Sequence, residues 1–395
     1  MTERVVIVEG VRTPIGRFGG TLKNVSSGFL AAHVITALLN KTGVHPEQVE
    51  EVILGEVRQT TESSNVARVA AIRAKLPVEV PAFTINRLCA SGMQAIASAV
   101  QQIQSGHAQI VIAGGTESMS NAPIYLRNSR FGEGNPYLVD SHLETGQQPK
   151  EIYGEDLGMG ITAENVAVDY QISREDQDRF ALESQRRAAK AIEIGAFRDE
   201  IVPIQVTSRK KTIIFDTDEH PRPDTTMETL QQLKPAFLQG GTVTAGNACG
   251  RNDGASAVLL MTEQTAHANN LTPMAAVVDW AVCGVNPKVM GIGPIPAIKK
   301  LLERTNKTIE DIDLFEINEA FASQAVAVQR ELGIDMEKLN VNGGAIALGH
   351  PVGATGNRIV VTLMHELRRT GKRYGIASLC VGGGQGMAIL IENLS

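Results

Sequence analysis

Residues 342–356 read NGGAIALGHPVGATG and residues 378–386 read SLCVGGGQG. Each stretch sets one reactive side chain, His350 or Cys380, on a glycine-rich turn. A third stretch, NRLCASGMQAI at 86–96, sets Cys89 just ahead of a helical pattern. Glycine permits turns and close backbone approach that other residues resist. Such turns aim side chains and backbone N–H groups at one reacting carbonyl. Two cysteines and a histidine presented in this way point to covalent thioester chemistry.

The surroundings of these turns repeat. RVVIVEGV (4–11) reads as a strand, followed by a helical spacing of Leu30, Val34, Ala37 and Leu38 and then a strand at 49–57. In the far half, MAAVVDWAV (274–282), IPAIKKLLERT (295–305) and IDLFEINEA (312–320) give the same order. Val49 precedes Cys89 by 40 residues and Ile312 precedes His350 by 38. After Cys89, residues Met93, Ile96, Ala97, Val100 and Ile103 mark a helix, and QIVIAGG (109–115) a strand. After His350, residues Ile359, Val360, Leu363 and Leu367 mark a helix, YGIASLC (374–380) a strand, and MAILIE (387–392) a last strand. Apolar strands alternating with helices predict parallel sheets covered by helices. The period is too long for a solenoid. The reading is a duplicated α/β unit.

Three parts follow: 1–118 as the first half, completed by about 251–270; 119–250 as an inserted segment; and 271–395 as the second half. The insertion is richer in polar and turn residues, among them FGEGNP (131–136) and EHPRPD (219–224). One clear helix is predicted in it, with Ser173 and Asp176 as its start and Gly195 as its stop. Insertions between scaffold halves often bind ligands or partners.

Composition bounds the function. The chain of 395 residues is 43% hydrophobic and 20% charged, which is globular. Its net charge of −6 argues against bulk nucleic-acid binding. Cys89, Cys249, Cys283 and Cys380 form no CxxC pair, so neither a disulfide framework nor a zinc knuckle is expected. No metal site is read. The start of the chain lacks the pattern of a signal peptide, and no apolar run of membrane-spanning length exists. The expectation is a cytoplasmic protein in a reducing compartment.

Taken singly, each reactive residue has a plainer reading. Cys89 before a helix can have its pKa lowered by the helix dipole, yet free cysteines are commonly small buried hydrophobes. His350 with Pro351 at a helix mouth can take a proton or serve structure alone. Cys380 can be an acid and base or a strand-end core residue. Asn318 can hold a water or a carbonyl oxygen, or cap a helix. Together the plainer readings weaken. A pseudo-twofold would bring the helices after Cys89 and His350 together, and ligands gather at the carboxyl ends of parallel strands.

The motifs NRLCASGMQAI, AGGTESMS (113–120), GTVTAGNACGRNDGA (241–255), NEAFA (318–322), NVNGGAIALGHPVGATG and CVGGGQG, in this order, resemble those of thiolases over essentially the whole chain. The likeness is greatest to the biosynthetic type, the acetyl-CoA acetyltransferases, with VMGIGPIPA (289–297) in lesser support. The resemblance implies a duplicated five-layered αβαβα core with an inserted loop domain that binds coenzyme A. It implies reversible condensation of two acetyl-CoA to acetoacetyl-CoA and free coenzyme A. It also implies Cys89 as nucleophile, His350 as its activator and Cys380 as the acid and base. Asn318 would hold a water, and the N–H groups of Cys89 and Gly382 would form an oxyanion hole. Arg222 would lie near the adenine end of coenzyme A. Met159, Phe237, Ala245, Ala248, Cys249, Met290, Ala320 and Phe321 would line the pantetheine path. No cofactor is implied, coenzyme A being substrate and product. A homodimer or homotetramer is implied, with no nucleic-acid or membrane partner.

The sequence also departs from that pattern. The histidine usual before the TAEN motif is Gly158, the serine usual in GNASG is Cys249, and Arg251 stands where an apolar side chain is usual. Residues 133–157 align poorly. Gly158 raises the alternative of a degradative 3-ketoacyl-CoA thiolase acting on longer or branched chains. A ketoacyl synthase would lack the Cys380 motif, and a cysteine protease leaves two glycine-rich cysteine turns unexplained. A thiolase-like lipid carrier or assembly subunit would be expected to have lost one of Cys89, His350 and Cys380; all three are present.

Overall fold

Strand alternation and helix periodicity resolve into one pattern used twice. A computed structural model describes residues 3–132, 134–143, 146–154, 157–208 and 211–395. Within the poorly aligning stretch 133–157, residues 133, 144, 145, 155 and 156 lie outside the described residues. The first half runs β1 (Val5–Arg12), α1 (Ser27–Thr42), β2 (Glu51–Gly55), α2 (Val66–Arg73), β3 (Ala82–Ile85), α3 (Ser91–Gln104) and β4 (Val111–Ser118). The insertion holds α4 (Met159–Asp169) and α5 (Arg174–Glu193), after which β5 (Asn252–Thr262) completes the half. The second half runs β6 (Ala275–Gly284), α6 (Pro294–Thr305), β7 (Leu314–Ile317), α7 (Ala322–Leu332), α8 (Val352–Thr370), β8 (Tyr374–Val381) and β9 (Gln385–Asn393).

The strands lie side by side as β7-β8-β9-β6-β1-β5-β4-β2-β3. The two halves meet where Val6 and Ile7 pair with Ala276 and Ala275. Within each half the ladder is the same. β2 and β7 run parallel to β4 and β8, which run antiparallel to β5 and β9, which in turn run antiparallel to β1 and β6. The place of β3 is held in the second half by a single parallel bridge, Phe315 to Leu339. The sheets are therefore mixed, not parallel as the strand–helix alternation predicts. The cause is β5 and β9. β9 returns from β8 across a three-residue link, β5 returns beside β4 only after the whole insertion, and an antiparallel neighbour needs no crossover. The sequence reading omits β3 and β5 from its strands, and α4 from the insertion.

Side-chain alternation then builds layers. Ile112, Leu259 and Met261 face α1 and α2 through Leu30, Val34, Leu38, Ala67 and Ala70. Their neighbours Val111, Ala113 and Leu260 face the opposite way, onto Met93, Ile96 and Val100 of α3. Ile359, Leu363 and Leu367 of α8 share that middle layer and meet Ala377, Leu379 and Ile389 of the second half. Ile376, Ala388 and Leu390 face outward onto Ile298 and Leu301 of α6 and Ala325 of α7. The order is helix, sheet, helix, sheet, helix. α5 begins with the Ser173–Asp176 capping box and stops before Gly195, which sits at φ +72°. Arg12, fully buried on β1, anchors the insertion. Its Nε lies 2.6 Å from Glu200, and its two terminal nitrogens donate to Asp218 at 2.7 and 2.9 Å.

α3 and α8 cross at two glycines in corresponding places. A Cβ on Gly92 would lie 2.7 Å from the backbone nitrogen of Asn357, and one on Gly356 would lie 2.6 Å from that of Met93. Both obstacles are backbone and cannot rotate away. Gly356→Ala is therefore expected to cost about 1–3 kcal/mol, the usual range for overpacking, read from urea denaturation. A loss below about 0.5 kcal/mol, typical of a neutral surface change, would show that the crossing is not close-packed.

Candidate active site

The two reactive turns are built alike. Cys89 follows Leu88, at φ +47°, and His350 follows Gly349, at φ +106°. A leucine in this left-handed region is uncommon and marks local strain. The turn is fixed by Ser91, whose hydroxyl donates to the Leu88 carbonyl at 2.7 Å and accepts from the Arg87 amide at 2.9 Å. On the other side the Gly349 turn packs against Asn252, whose Oδ1 accepts from the His350 amide at 2.9 Å. Cys89 and His350 each stand one residue before the helix cap, Ala90 and Pro351, so neither is the cap itself.

Glu117 couples the halves. It accepts from the amides of Val57 and Arg58 at 3.1 and 3.0 Å, and from Gly353, in the first turn of α8, at 2.9 Å. Glu56 lies beside it, 1% exposed, with one oxygen bonded by the Ser27 hydroxyl and the other without a partner. Burial raises the Glu117 pKa, but three N–H donors oppose that rise, whereas Glu56, with one hydroxyl partner, is pushed up to about 8 and is the readier of the two to hold a proton.

The thiols and the imidazole are tuned by burial. Cys89 accepts from its own amide and from that of Gly382, but desolvation outweighs these contacts and raises its pKa. The lowering expected from the helix dipole is thus overturned. Cys380 ends β8 fully buried. Burial first, and the facing thiols of Cys89 and Cys249 second, push its pKa well up. Burial and Cys89 likewise push Cys249 up to about 12. His350 is pressed down to about 3 by burial and then by the Arg358 guanidinium, so its ring is neutral at neutral pH. The Thr355 hydroxyl donates to the Pro351 carbonyl at 2.9 Å and lies 2.7 Å from His350 Nδ1. Its one proton being committed, Thr355 accepts from Nδ1–H, which leaves Nε2 as a free acceptor.

Asn318 follows β7, and its amide donates to the Ser378 carbonyl at 2.9 Å, beside the Cys380 strand. It caps no helix, since α7 begins four residues later with Phe321 as its cap. Its side chain is 1% exposed, and neither amide atom has a partner. Such a buried group costs about 1–3 kcal/mol, which marks a place for a bound molecule.

A groove of 540 Å³ runs along the insertion, lined among others by Arg222, Phe237, Ala245, Ala248 and Cys249. Arg222 stands exposed at its mouth, its amide held by Gln185 Oε1 at 2.8 Å. Ala248, Met290, Ala320 and Phe321, with Met159 against them, form one apolar cluster with Cys380. Phe237 stacks edge-on to Phe321 at 6.1 Å. The floor is stitched by Cys249 N–H to the Ala320 carbonyl at 3.0 Å. Residues read from the sequence thus form a path from a cationic mouth to two thiols. Asn252, Thr355 and Glu117 were missed. Asn252 and Glu117 lie within quoted motifs, but nothing in their local pattern says which backbone amide each will hold.

Fold and site define a class of duplicated α/β proteins that carry a cysteine and a histidine on corresponding turns, one in each half. Residues 5–264 match the thiolase N-terminal domain and residues 271–393 the thiolase C-terminal domain. The chain belongs to the thiolase family. It is 50% identical to an acetyl-CoA acetyltransferase of Syntrophomonas wolfei over 402 residues, all of both chains. The acetyl-CoA acetyltransferase of Bacillus anthracis superposes with a TM-score of 0.96 at 51% identity, over 100% of this chain and 99% of that one. Human mitochondrial 3-ketoacyl-CoA thiolase in complex with CoA superposes at 0.94 and 45% identity, over 99% and 98%.

The acidic pair gives a stability test. Burial first, eased by Ser27 and reinforced by Glu117, raises the Glu56 pKa to about 8. Between its unfolded value near 4.5 and about 8 the folded state holds the extra proton, so this group costs stability as pH rises through that window. Glu56→Gln should therefore gain stability relative to wild type from pH 5 to pH 8, by on the order of a few kcal/mol. Denaturation curves at several pH values read it; a pH-independent difference would mean that Glu56 is ionised throughout.

Proposed function

We propose that the protein is an acetyl-CoA C-acetyltransferase, which reversibly condenses two acetyl-CoA to acetoacetyl-CoA and coenzyme A. The observation that carries this reading is the Gly382 N–H at Cys89 Sγ, with Cys380 two residues upstream on the same turn. One thiol sits where an acyl carbonyl would be polarised, and a second faces it. His350 Nε2 takes the Cys89 proton as Sγ attacks the thioester carbon, and Cys380 gives its proton to the departing coenzyme A sulfur, which leaves Cys380 a thiolate and His350 holding the proton that Cys89 later takes back. Charge on the acyl oxygen develops against the N–H groups of Cys89 and Gly382. Cys380 then removes a proton from the methyl group of a second acetyl-CoA, and the resulting carbanion attacks the acyl carbon. The Cys89 sulfur departs and is reprotonated. Splitting the reaction at the acyl-enzyme gives ping-pong kinetics.

Neutral His350 suits this scheme, because it starts with an open lone pair. The raised thiol pKa keeps Cys89 and Cys380 protonated until a partner takes the proton. The orphaned amide of Asn318 suits a water or carbonyl oxygen held near the thiols. Arg222 would meet the nucleotide end of coenzyme A, and the cluster around Met159, Met290 and Phe321 its pantetheine. We further read the enzyme as needing no cofactor beyond this substrate. We also read it as a homodimer or homotetramer of the cytoplasm. In support of the last, no described helix is long and apolar enough to cross a membrane.

Mass spectrometry after mixing with acetyl-CoA should find one acetyl adduct, absent in Cys89→Ala. Cys380→Ser should still take the acetyl group but turn over about 10²–10⁴-fold more slowly, since a hydroxyl is a poor acid–base at neutral pH. An adduct persisting on Cys89→Ala, or near-normal turnover by Cys380→Ser, would remove the assigned role.

One observation favours a second reading, cleavage of longer 3-ketoacyl-CoA. A Cβ on Gly158, just ahead of Met159, would find nothing within 4 Å. Each added CH₂ accommodated there is worth about 0.8 kcal/mol, a factor of roughly four. Cleavage of 3-ketovaleryl- and 3-ketohexanoyl-CoA is expected alongside acetoacetyl-CoA, and Gly158→His should depress the longer substrates more. Equal depression at every length would take residue 158 out of the acyl end.

A further inference from the structure

The turn that polarises Cys89 is covered by a side chain that the mechanism leaves unused. A Cβ on Gly382 would lie 2.1 Å from Gln147 Oε1 and 3.0 Å from its Nε2, and one on Gly383 would lie 2.7 Å from the Gln147 carbonyl. Gln147 thus rests on the two glycines that follow Val381, and only glycine there leaves it room. Since the Gly382 N–H reaches Cys89 Sγ, the Gln147 amide ends one residue from the acylated sulfur. Its Oε1 is buried and no donor meets it. Gln147 therefore stands over the glycines that follow Cys380, beside the sulfur that carries the acyl group in the proposed reaction.

The segment carrying it is held in place. Gln148 Nε2 donates to the Leu157 carbonyl at 2.6 Å, which ties residues 147 and 148 to the residue before Gly158. The open space at Gly158 and the amide of Gln147 therefore belong to one wall. We propose that Gln147 is the specificity-determining residue of the acyl end, closing the space beyond the Cys89 thioester and limiting the acyl group to short, straight chains. Past its Cβ, Gln147 brings four heavy atoms into that space, about the bulk of three or four chain carbons. An apolar chain pushed against it would also bury its oxygen for good, with no donor to offer. A short acyl group leaves the amide free to bond a water. This inference rests on the thioester reading of Cys89.

The test compares wild type with Gln147→Ala, Gln147→Asn and Gln147→Leu, each checked by thermal melting. The readout is the ratio of kcat/KM for 3-ketooctanoyl-CoA to that for acetoacetyl-CoA. Two carbons admitted beyond the wild-type limit, at about fourfold each, raise this ratio about tenfold or more in Gln147→Ala. Gln147→Asn, shorter by one methylene, raises it partway and serves where the alanine variant does not fold. Gln147→Leu keeps the bulk and holds the ratio near the wild-type value. A folded alanine or asparagine variant with an unmoved ratio overturns the assignment, as does a leucine variant that shifts as far as alanine. The Cys89 acetyl adduct is scored in parallel on wild type. Its absence would bring down the thioester reading itself, whereas its presence with an unmoved ratio would bring down only the role of Gln147.

Discussion

Everything at the centre of this molecule depends on two helices touching backbone to backbone. α3 and α8 approach so closely at Gly92 and Gly356 that a single methyl on either would meet a peptide nitrogen. The contact is reciprocal, as a local twofold requires: each glycine faces the residue just after its counterpart. The helix starts are thereby brought together, and so are the turns that carry Cys89 and His350. The crossing is tightened from the sheet side as well. A Cβ on Gly115 of β4 would lie 2.1 Å from the Gly353 carbonyl, and one on Gly55 of β2 would lie 2.6 Å from the Gly92 nitrogen. Larger side chains would hold the halves apart and separate the turns of Cys89 and His350.

That closeness removes water, and the loss of water sets the chemistry. A thiol ahead of a helix is expected to ionise easily, yet desolvation at Cys89 exceeds what two N–H contacts return. The same burial keeps His350 uncharged. Burial thus favours the neutral form of both groups, and in the proposed reaction charge is created only when a proton crosses between them. N–H donors that are already in place meet that charge with no reorganisation. A second thiol with a raised pKa can stand beside the first without repulsion, because both remain neutral until used.

How much of this could be read from the chain depends on distance in sequence. The duplication was legible because each half writes its own strand and helix periods. The turns were legible because glycine clusters around His350 and Cys380 mark them. Of the residues that motif resemblance assigns to the pantetheine path, Met159, Ala248, Met290, Ala320 and Phe321 fall into one apolar group with Cys380. The antiparallel β5 and β9 were not legible as such. An apolar strand looks the same in either direction, and only at β9 does a link too short for a crossover tell. Leu88 could not be foreseen, since nothing in leucine announces φ +47°. The roles of Asn252 and Glu117 were hidden for another reason. Each grips backbone amides on the other side of the pseudo-twofold, and a backbone amide leaves no trace in sequence.

The duplication also explains why the site has one mouth. Apart from β3, whose place a single bridge takes, the two halves match strand for strand until the link between the last two strands. In the second half Gly382, Gly383 and Gly384 make that link in three residues, the latter two at φ +78° and +89°. In the first half the same link, from Ser118 to Asn252, carries the whole insertion. A symmetric molecule would offer two equal approaches to the midline. Here the long link supplies the groove with Arg222, Phe237 and Cys249, while the short one supplies an N–H directly at Cys89. The asymmetry assigns the roles: one connection has the length to hold a large carrier, and the other has the bare backbone to approach a reacting carbonyl. Gln147 comes from the long connection yet lies on the short one. It is where the two links meet.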